Sequence, residues 1–198
     1  MKKRIILASA SPRRRELLEQ IGVKFEIRVS SREEIYHSSV PEEIVKELAL
    51  AKAENVLEEL LETESSPAGL TVIGADTVVV LDGAILGKPK DEADACRMLG
   101  SLQGRDHDVY TGVAVLAFDG AGKKTVFSHA VRTKVYVHGM DEAEIRGYVD
   151  TGEPMDKAGA YGIQGAFAAF IDRIDGDYYN VVGLPVSYIY QVLKQTAS

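Results

Sequence analysis

The sequence predicts an α/β protein whose long mixed β-sheet is flanked by helices. Strand-like and helix-like stretches alternate along the 198 residues, with no low-complexity linker and no internal repeat. In the first half strands alternate with helices, which is the pattern of parallel crossover units. In the second half two long strands are joined only by the turn-like sequence Asp-Gly-Ala-Gly at 119–122, and such a hairpin requires antiparallel pairing. The sheet is therefore expected to contain both strand orientations.

Apolar spacing and turn residues define the elements of the first half. Residues 5–8 form a short apolar strand, and the helix after it carries Leu17, Leu18 and Ile21 on one face and stops at Gly22. The remaining elements are an alternating strand over Phe25, Ile27 and Val29, a long helix over 40–62 opened by Pro41, a β-rich run over 70–81, and a two-residue turn, Asp82-Gly83, that leads into a strand over 84–86.

The second half continues the alternation of strands and helices. Asp141 and Glu144 have the spacing of a capping box, in which each side chain binds the backbone N–H of the other residue. A helix is therefore expected to start there and to end near Gly152. The other predicted elements are a helix over 91–102, strands over 109–118, 125–137 and 167–174, and a final helix over 185–194.

Composition excludes several classes of protein. Lys and Arg number 23 against 30 Asp and Glu, a formal net charge of −7, which argues against binding nucleic acid or an anionic membrane through bulk charge. The apolar run before Ser9 is too short for a signal peptide and no later stretch could span a bilayer, so a cytoplasmic location is expected. The single cysteine, Cys96, excludes an internal disulfide framework and is expected to be a buried or half-buried core residue.

The segment SASPRRRELLEQIG at 9–22 places three arginines in the first turn of a helix, where the helix dipole disfavours cations by roughly 0.3–1 kcal/mol each. Ser11 suits the N-cap and Pro12 the first helical position, so the unpaired N–H groups of that turn point out of the end of the preceding strand. Such a junction holds anions, and the hydroxyls of Ser9 and Ser11 add donors. The arginines become favourable once a phosphate chain is bound.

The three arginines do not all have the same interpretation. Each could be a solvated surface residue, and for Arg15 this is the interpretation that we prefer. For Arg13 and Arg14 we favour anion binding, on the logic of the motif.

Lys52 and Asp76 are charged residues within apolar patterns. Steps of four residues from Leu48 place Lys52 on the apolar stripe of its helix, where it either extends to solvent or points inward to an acid or a phosphate. Asp76 interrupts the hydrophobic run TVIGADTVVVL and follows Gly74, which permits a ligand or a backbone to approach closely. A carboxylate there either caps a neighbouring amide or binds a divalent metal ion or accepts a proton from water. We favour the catalytic alternative.

Further charged residues occupy turn-like places, and several well-known motifs are absent. Glu34 follows the second predicted strand, Lys88 lies in LGKP, and Lys157 lies in MDKAGAYGIQG. With the residues above they supply two acids and several cations, which is what nucleoside triphosphate chemistry with magnesium requires. The sequence has no P-loop, no paired zinc spacing among its histidines and no Gly-x-Ser-x-Gly elbow.

With these motifs in order along nearly the whole chain, the sequence resembles the Maf proteins, also called septum formation proteins, a family of nucleoside triphosphate pyrophosphatases. The motifs that carry the resemblance are SASPRR at 9–14, Glu34, Lys52-Ala53, GADT at 74–77, LGKP at 86–89, DKAGAYGIQG at 156–165 and GLP at 183–185. The resemblance implies a single domain over 1–198. It also implies a fold similar to that of inosine triphosphate pyrophosphatases, with a long mixed sheet divided into two lobes around a central cleft.

The resemblance implies an activity and roles for individual residues. In the family the aspartate matching Asp76 is the proton acceptor, and the residues matching Arg13, Thr77 and Gln164 distinguish the branch that prefers dTTP and UTP from the branch that prefers 7-methyl-GTP. All three are present here, so we expect water to attack the α-phosphorus of dTTP, UTP or a modified pyrimidine nucleotide, releasing the monophosphate and pyrophosphate. The residues expected to bind substrate are Ser9, Ser11, Arg13, Arg14, Lys52, Thr77, Lys88, Lys157 and Gln164.

A metal ion and a nucleotide are the expected partners. A divalent cation, Mg²⁺ or Mn²⁺, is the expected cofactor, with Glu34 and Asp76 as its ligands. The expected substrate is a nucleoside triphosphate, with no nucleic acid and no membrane, and a homodimer is left open. The alternative function is a nucleotide-binding regulator of septum formation that acts without turnover. The two acids favour the enzyme, because a triphosphate sensor gains little from carboxylates beside phosphates unless a metal is bound.

Overall fold

Strands and helices alternate along residues 4–33 and 35–196, which are the residues that the computed structural model describes. The strands are β1 (Arg4–Ala8), β2 (Glu26–Ile27), β3 (Leu70–Leu81), β4 (Ala84–Leu86), β5 (Asp106–Phe118), β6 (Lys124–Val137) and β7 (Ile171–Asp175). The α-helices are α1 (Pro12–Gln20), α2 (Pro41–Leu61), α3 (Glu92–Leu102), α4 (Glu142–Val149), α5 (Tyr178–Val182) and α6 (Val186–Gln195). Within these two ranges, no helix combines the length and the apolar character needed to cross a bilayer.

The sheet is mixed, as the sequence predicts. Its strand order is β2-β1-β3-β5-β6-β7, with β4 paired to β3. β1 is parallel to both β2 and β3, whereas β4 is antiparallel to β3 and β7 is antiparallel to β6. The register of β1 and β3 sets Ala8 opposite Gly74. The loop after β1 and the second half of β3 therefore continue from the same level of the sheet.

The chain divides into two compact units, in agreement with the two lobes that the family resemblance implies. The first unit comprises Met1–Asp76, Thr111–Val131 and Gly183–Ser198. The second comprises Thr77–Tyr110 and Arg132–Val182. The strands β3, β5 and β6 each contribute residues to both units.

Each unit has its own hydrophobic core. In the first, the buried face of α2, including Ala49, packs in one cluster with sheet residues such as Val72. In the second, α3 contributes Leu99 to a cluster that includes the fully buried ring of Phe167. Cys96 is half-buried against this second cluster, as expected for a core residue.

The segment 166–170 differs from its prediction. It forms a 3-10 helix in place of the start of a strand, and β7 begins only at Ile171. Phe167 accounts for the difference, because its buried ring packs against Tyr148 and Tyr161 with centroid distances of 5.1 and 4.7 Å. Packing against these rings overrides the β propensity of the segment.

Two smaller differences occur at the edges of the predicted pattern. The strand expected over residues 25–29 pairs only at Glu26–Ile27, and Val29 is 56% exposed. Ile27 is also 43% exposed, so the apolar alternation of this strand, which lies at the edge of the sheet, does not mark a buried face. The helix α5, Tyr178–Val182, was not predicted, because five residues are too few to show a helical period.

His107 is a buried titratable residue of the second unit, with 3% of its surface exposed. Its Nε2 lies 2.7 Å from the hydroxyl oxygen of Tyr161, and its Nδ1 has no hydrogen-bond partner within the described part of the chain. Burial lowers the pKa of His107 to about 4, against a smaller opposing effect of Asp108 and Asp106. The folded protein therefore keeps this ring neutral at neutral pH.

We expect His107 to make the protein less stable in acid. The ring titrates near pH 6.5 when unfolded and near 4 when folded, so the unfolded chain takes up the proton first as the pH falls, and the free energy of unfolding drops by about 3 kcal/mol. The loss is absent above about pH 7 and complete below about pH 4. His107→Gln removes this titration and leaves the carboxylates unchanged. In urea unfolding, the stability difference between the two proteins should change by about 3 kcal/mol over this range; a constant difference would contradict the assignment.

Candidate active site

An aspartate and a lysine form an ion pair between β3 and α2 in the first unit. Asp76 lies in the middle of β3, and Lys52 reaches it from α2 with its Nζ 2.5 Å from Oδ1. Their side chains are 17% and 20% exposed, respectively. Lys52 therefore points inward to an acid, which decides between the two orientations that its helical position allowed. The ammonium group orients the carboxylate and compensates its charge.

Gly74 explains why α2 lies close enough for this ion pair. A Cβ atom at Gly74 would lie 2.1 Å from the carbonyl oxygen of Ala49 and 3.0 Å from the backbone nitrogen of Ala53. The sequence left open whether Gly74 lets a ligand or a backbone approach closely. The structure shows the backbone of α2 there. Lys52 is on the same helical turn, so this close contact determines where its ammonium group lies.

The loop after β1 is a compact polar turn beside this pair. The chain leaves the sheet level with Gly74, two residues before Asp76 on the neighbouring strand. Ser9 is buried, and its Oγ accepts hydrogen bonds from the backbone N–H of Ser11 at 3.3 Å and from Nη1 of Arg14 at 3.1 Å. A serine hydroxyl that accepts two hydrogen bonds still has its own hydrogen to donate.

Arg14 also connects this loop to the chain before α6. Its Nε donates to the carbonyl oxygen of Gly183 at 2.7 Å. Gly183 has a φ of 123°, a conformation that favours glycine, and Pro185 two residues later is the N-cap of α6. The supporting role of Gly183 was missed at the sequence level, although the GLP motif at 183–185 was a signal that this position is constrained.

The helix α1 starts with the residues that the sequence predicts. Ser11 is the N-cap and Pro12 lies in the first turn, and the Ser11 side chain makes no capping hydrogen bond. The N–H groups of such a turn are oriented to bind an anion. Arg15 is exposed and lies 3.8 Å from Glu19 one turn later, as expected for a surface residue, whereas Arg13 is half-buried.

These first-unit residues combine a held carboxylate with a group of hydrogen-bond donors on the adjacent strand end. Asp76 is the acceptor, and the donors are Ser9, the arginines and the first turn of α1. The register of β1 and β3 places the loop after β1 on the strand next to Asp76. The arrangement can therefore bind an anion and orient or deprotonate a water molecule.

Three of the predicted substrate residues lie on separate elements of the second unit. Thr77 continues β3 beyond Asp76 and is half-buried. Lys88 follows β4 and is exposed, and Gln164 is exposed in the turn after Tyr161. Each belongs to a segment that the sequence motifs had indicated.

Lys157, also in the second unit, is more enclosed than Lys88. Its side chain is 14% exposed, and Nζ donates to the carbonyl oxygen of Glu153 at 2.5 Å and to Oδ1 of Asp156 at 2.8 Å. These partners hold the ammonium group in a defined place. An ammonium group in a fixed place can neutralise a phosphate without losing much conformational entropy on binding.

The predicted metal ligands are only partly described. Glu34 lies outside the described residues, 4–33 and 35–196. Within those ranges no group of three or more His, Cys, Asp or Glu side chains is placed to hold a metal ion. Of the two predicted metal ligands, Asp76 is the one that lies within these ranges.

Comparison with known proteins gives relatives that match almost the whole chain. The chain is 50% identical over 197 residues to the dTTP/UTP pyrophosphatase of Agathobacter rectalis, covering 96% of each chain. It is 50% identical to the dTTP/UTP pyrophosphatases of Pelotomaculum thermopropionicum, with 98% and 96% covered, and of Bacillus thuringiensis subsp. konkukian, with 98% and 95% covered. Among solved structures, the Staphylococcus aureus Ham1 protein aligns with a TM-score of 0.43 at 16% identity, over 80% of this chain and 85% of that one.

The family comparison covers almost all of the described chain. The profile described as Maf-like protein matches residues 4–196, which includes every motif on which the sequence resemblance rests. The chain belongs to the Maf-like protein family.

Proposed function

We infer that this protein is a nucleoside triphosphate pyrophosphatase that hydrolyses dTTP and UTP to the monophosphate and pyrophosphate. The observation that carries the reaction type is the Asp76 carboxylate, held by Lys52 beside the polar loop that begins at Ser9. The base preference is supported by the names of the relatives that are about 50% identical to this chain, each a dTTP/UTP pyrophosphatase.

In the proposed reaction a water oxygen attacks the α-phosphorus. A P–O bond forms from that water, the bond from the α-phosphorus to the bridging oxygen breaks, and pyrophosphate leaves. Asp76 orients the water and accepts its proton. Because the carboxylate is already fixed by Lys52, little reorganisation is needed when the proton moves.

The cations and hydroxyls neutralise and orient the triphosphate in this proposal. Charge spreads over the phosphoryl oxygens in the transition state, so donors that are already in place stabilise it more than mobile ones do. Ser9 and Arg14 are fixed by the hydrogen bonds described above, and Lys157 by its contacts in the second unit. The residues to which we assign phosphate binding are Ser9, Ser11, Arg13, Arg14, Lys52, Lys88 and Lys157.

A divalent cation, Mg²⁺ or Mn²⁺, is part of the proposal. Such ions commonly take one or two carboxylates together with phosphate oxygens of the substrate. Asp76 fits this use, since it is a partly exposed carboxylate whose Oδ1 is the atom that Lys52 contacts. When bound, the ion would supply positive charge to the phosphoryl oxygens. Glu34 remains the second proposed ligand.

Base recognition is assigned to Gln164, with Arg13 and Thr77 as the accompanying specificity residues. An amide side chain can donate and accept at once, and a uracil-type base presents a carbonyl oxygen beside an N–H group. Gln164 is exposed in its turn, so its amide is available to a ligand. A cytoplasmic location, where nucleoside triphosphates are made and used, completes the proposal.

The experiment that tests the function is a substrate panel with Mg²⁺, assayed for pyrophosphate. We expect dTTP and UTP to be the preferred substrates. Reactions in ¹⁸O-labelled water locate the attack, because attack at the α-phosphorus places the label in the monophosphate and attack at the β-phosphorus places it in pyrophosphate. Absence of pyrophosphate from every triphosphate would contradict the proposal and favour the nucleotide-binding regulator.

Arg13 and Arg15 offer a matched pair of variants within one helical turn. We expect Arg13→Ala to lower kcat/KM for dTTP by about 10- to 100-fold, because a charge-assisted contact to phosphate is lost. Arg15→Ala removes an exposed residue whose contact is Glu19 at 3.8 Å, so it should stay within about 2-fold. Steady-state kinetics of both variants at one salt concentration decide this, and equal losses would contradict the assignment of Arg13.

A further inference from the structure

The turn that carries Gln164 is held at both ends by side chains from outside it. At one end, the hydroxyl oxygen of Tyr148 on α4 accepts a hydrogen bond from the backbone N–H of Gly162 at 3.2 Å. At the other end, Oε2 of Glu153 accepts one from the backbone N–H of Ala166 at 3.1 Å. Gln164 lies two residues from each of these contacts, so both sides of its backbone are anchored.

The two holding side chains are also joined to each other. The hydroxyl of Tyr148 donates to Oε1 of Glu153 at 2.8 Å, so each oxygen of this carboxylate has a donor. Tyr148 is 4% exposed, and its ring packs against Phe167 with a centroid distance of 5.1 Å. Burial raises the pKa of Tyr148, so the hydroxyl keeps its hydrogen for this bond. The pair therefore connects the turn to the core of the second unit.

Two glycines allow the Glu153 carboxylate to lie directly on the turn. A Cβ atom at Gly165 would lie 2.0 Å from Oε1 of Glu153, and one at Gly162 would lie 2.6 Å from Cε of Lys157 and 3.5 Å from the same carboxylate oxygen. The carbonyl oxygen of Glu153 also accepts from Nζ of Lys157 at 2.5 Å. One residue thus contacts both the Gln164 turn and Lys157.

We propose that Glu153, acting with Tyr148, is a positioning residue that fixes the backbone from which the Gln164 amide reads the base. This inference rests on the proposed function, in which Gln164 pairs with a uracil-type edge. An amide pairs with the donor and acceptor of a base edge only when its backbone places it at hydrogen-bond distance from that edge, so movement of the turn would weaken the pairing. Glu153 contacts the turn and not the substrate, so it acts on base preference through Gln164.

The test measures base preference in binding, separately from turnover. Calorimetry with α,β-imido-dUTP and α,β-imido-dCTP gives the ratio of their Kd values, and these bases differ in the donor and acceptor at the edge that Gln164 would read. We expect Glu153→Ala to reduce the preference for the uracil analogue by about 10-fold, the effect of losing a well-placed hydrogen bond. Tyr148→Phe, which keeps the packed ring, should act in the same direction. Glu153→Gln keeps an acceptor for Ala166 and should restore most of the preference.

A double-variant comparison separates positioning from a merely structural role. In a Gln164→Ala background, Glu153→Ala should change the Kd ratio by less than about 2-fold, because the group that it positions is gone. Glu144→Ala is the matched control, since Glu144 accepts a hydrogen bond from Asp141 in the cap of α4. It should lower stability and leave the ratio unchanged. Equal weakening of both analogues by Glu153→Ala, or a further change of the ratio without Gln164, would overturn the proposal.

The same measurements distinguish this inference from the proposed function. Suppose that the wild-type protein prefers the uracil analogue but releases no pyrophosphate. This result would overturn the proposed function. The positioning role would still be supported if Glu153→Ala lowers that preference. A wild-type protein that releases pyrophosphate from dTTP, but whose Kd ratio is unaffected by Glu153→Ala, would overturn the positioning role alone. Equal wild-type affinity for both analogues would also overturn it.

Discussion

Asp76→Asn is expected to reduce the turnover of dTTP by about 10²- to 10⁴-fold, the usual contribution of a positioned general base. The amide keeps the shape of the side chain and an oxygen for the Lys52 ammonium group, but it cannot take a proton from water. The fold and the phosphate-binding loop should persist, so a non-hydrolysable triphosphate should still bind. Rapid-quench single-turnover kinetics with dTTP, together with calorimetric binding, measure the two effects separately.

Asp82→Asn is the control for the loss of one negative charge. Asp82 lies in the turn after β3, is 68% exposed and pairs with Arg105, and asparagine tolerates its φ of 51°. Turnover by this variant should stay within about 2-fold of the wild type. A folded Asp76→Asn protein with near-normal single-turnover rates would exclude Asp76 as the proton acceptor.

The sequence predicted most of the fold because its signals were local and repeated. The long helix α2, the turn at Asp82-Gly83 and the capping box of α4 each depend on residue types at fixed spacing, and all three are present. The failures are places where tertiary packing decides. Phe167 turns a strand-like segment into a 3-10 helix by packing in the core, and β2 is cut short because it lies at the sheet edge.

The sequence nominates the residues of the candidate site one by one, but it does not show the contacts between them. A lysine on an apolar stripe and an aspartate in a hydrophobic strand each indicated an unusual environment, yet nothing in the sequence pairs Lys52 with Asp76 across 24 positions. Contacts to backbone carbonyl groups are harder still to predict, since any residue can supply one. The contact of Arg14 with the carbonyl oxygen of Gly183 was missed for that reason. Glu153 was missed because a glutamate in a turn is ordinarily a solvated surface residue.

Gly74→Ala is expected to impair both folding and catalysis, because one methyl group would lie 2.1 Å from the carbonyl oxygen of Ala49. The two nearest atoms, the carbonyl oxygen of Ala49 and the nitrogen of Ala53, belong to the backbone, so no side chain can rotate away and α2 must shift. Overpacking of this kind typically costs about 1–3 kcal/mol. Lys52 moves with the helix, and a displacement of about 1 Å at a catalytic centre can lower the rate by about 10²-fold.

Gly112→Ala separates the catalytic part of this effect from the loss of stability. Its Cβ would lie 2.1 Å from the carbonyl oxygen of Val45, so it pushes on the same helix about two turns before Lys52. Both variants should lose stability to a similar extent in urea unfolding. Measured per folded molecule at low temperature, turnover should fall much further in Gly74→Ala, because only that clash lies on the turn that carries Lys52. Equal turnover per folded molecule in the two variants would contradict this explanation. The close approach of α2 to β3 would then not be needed for the contact between Lys52 and Asp76.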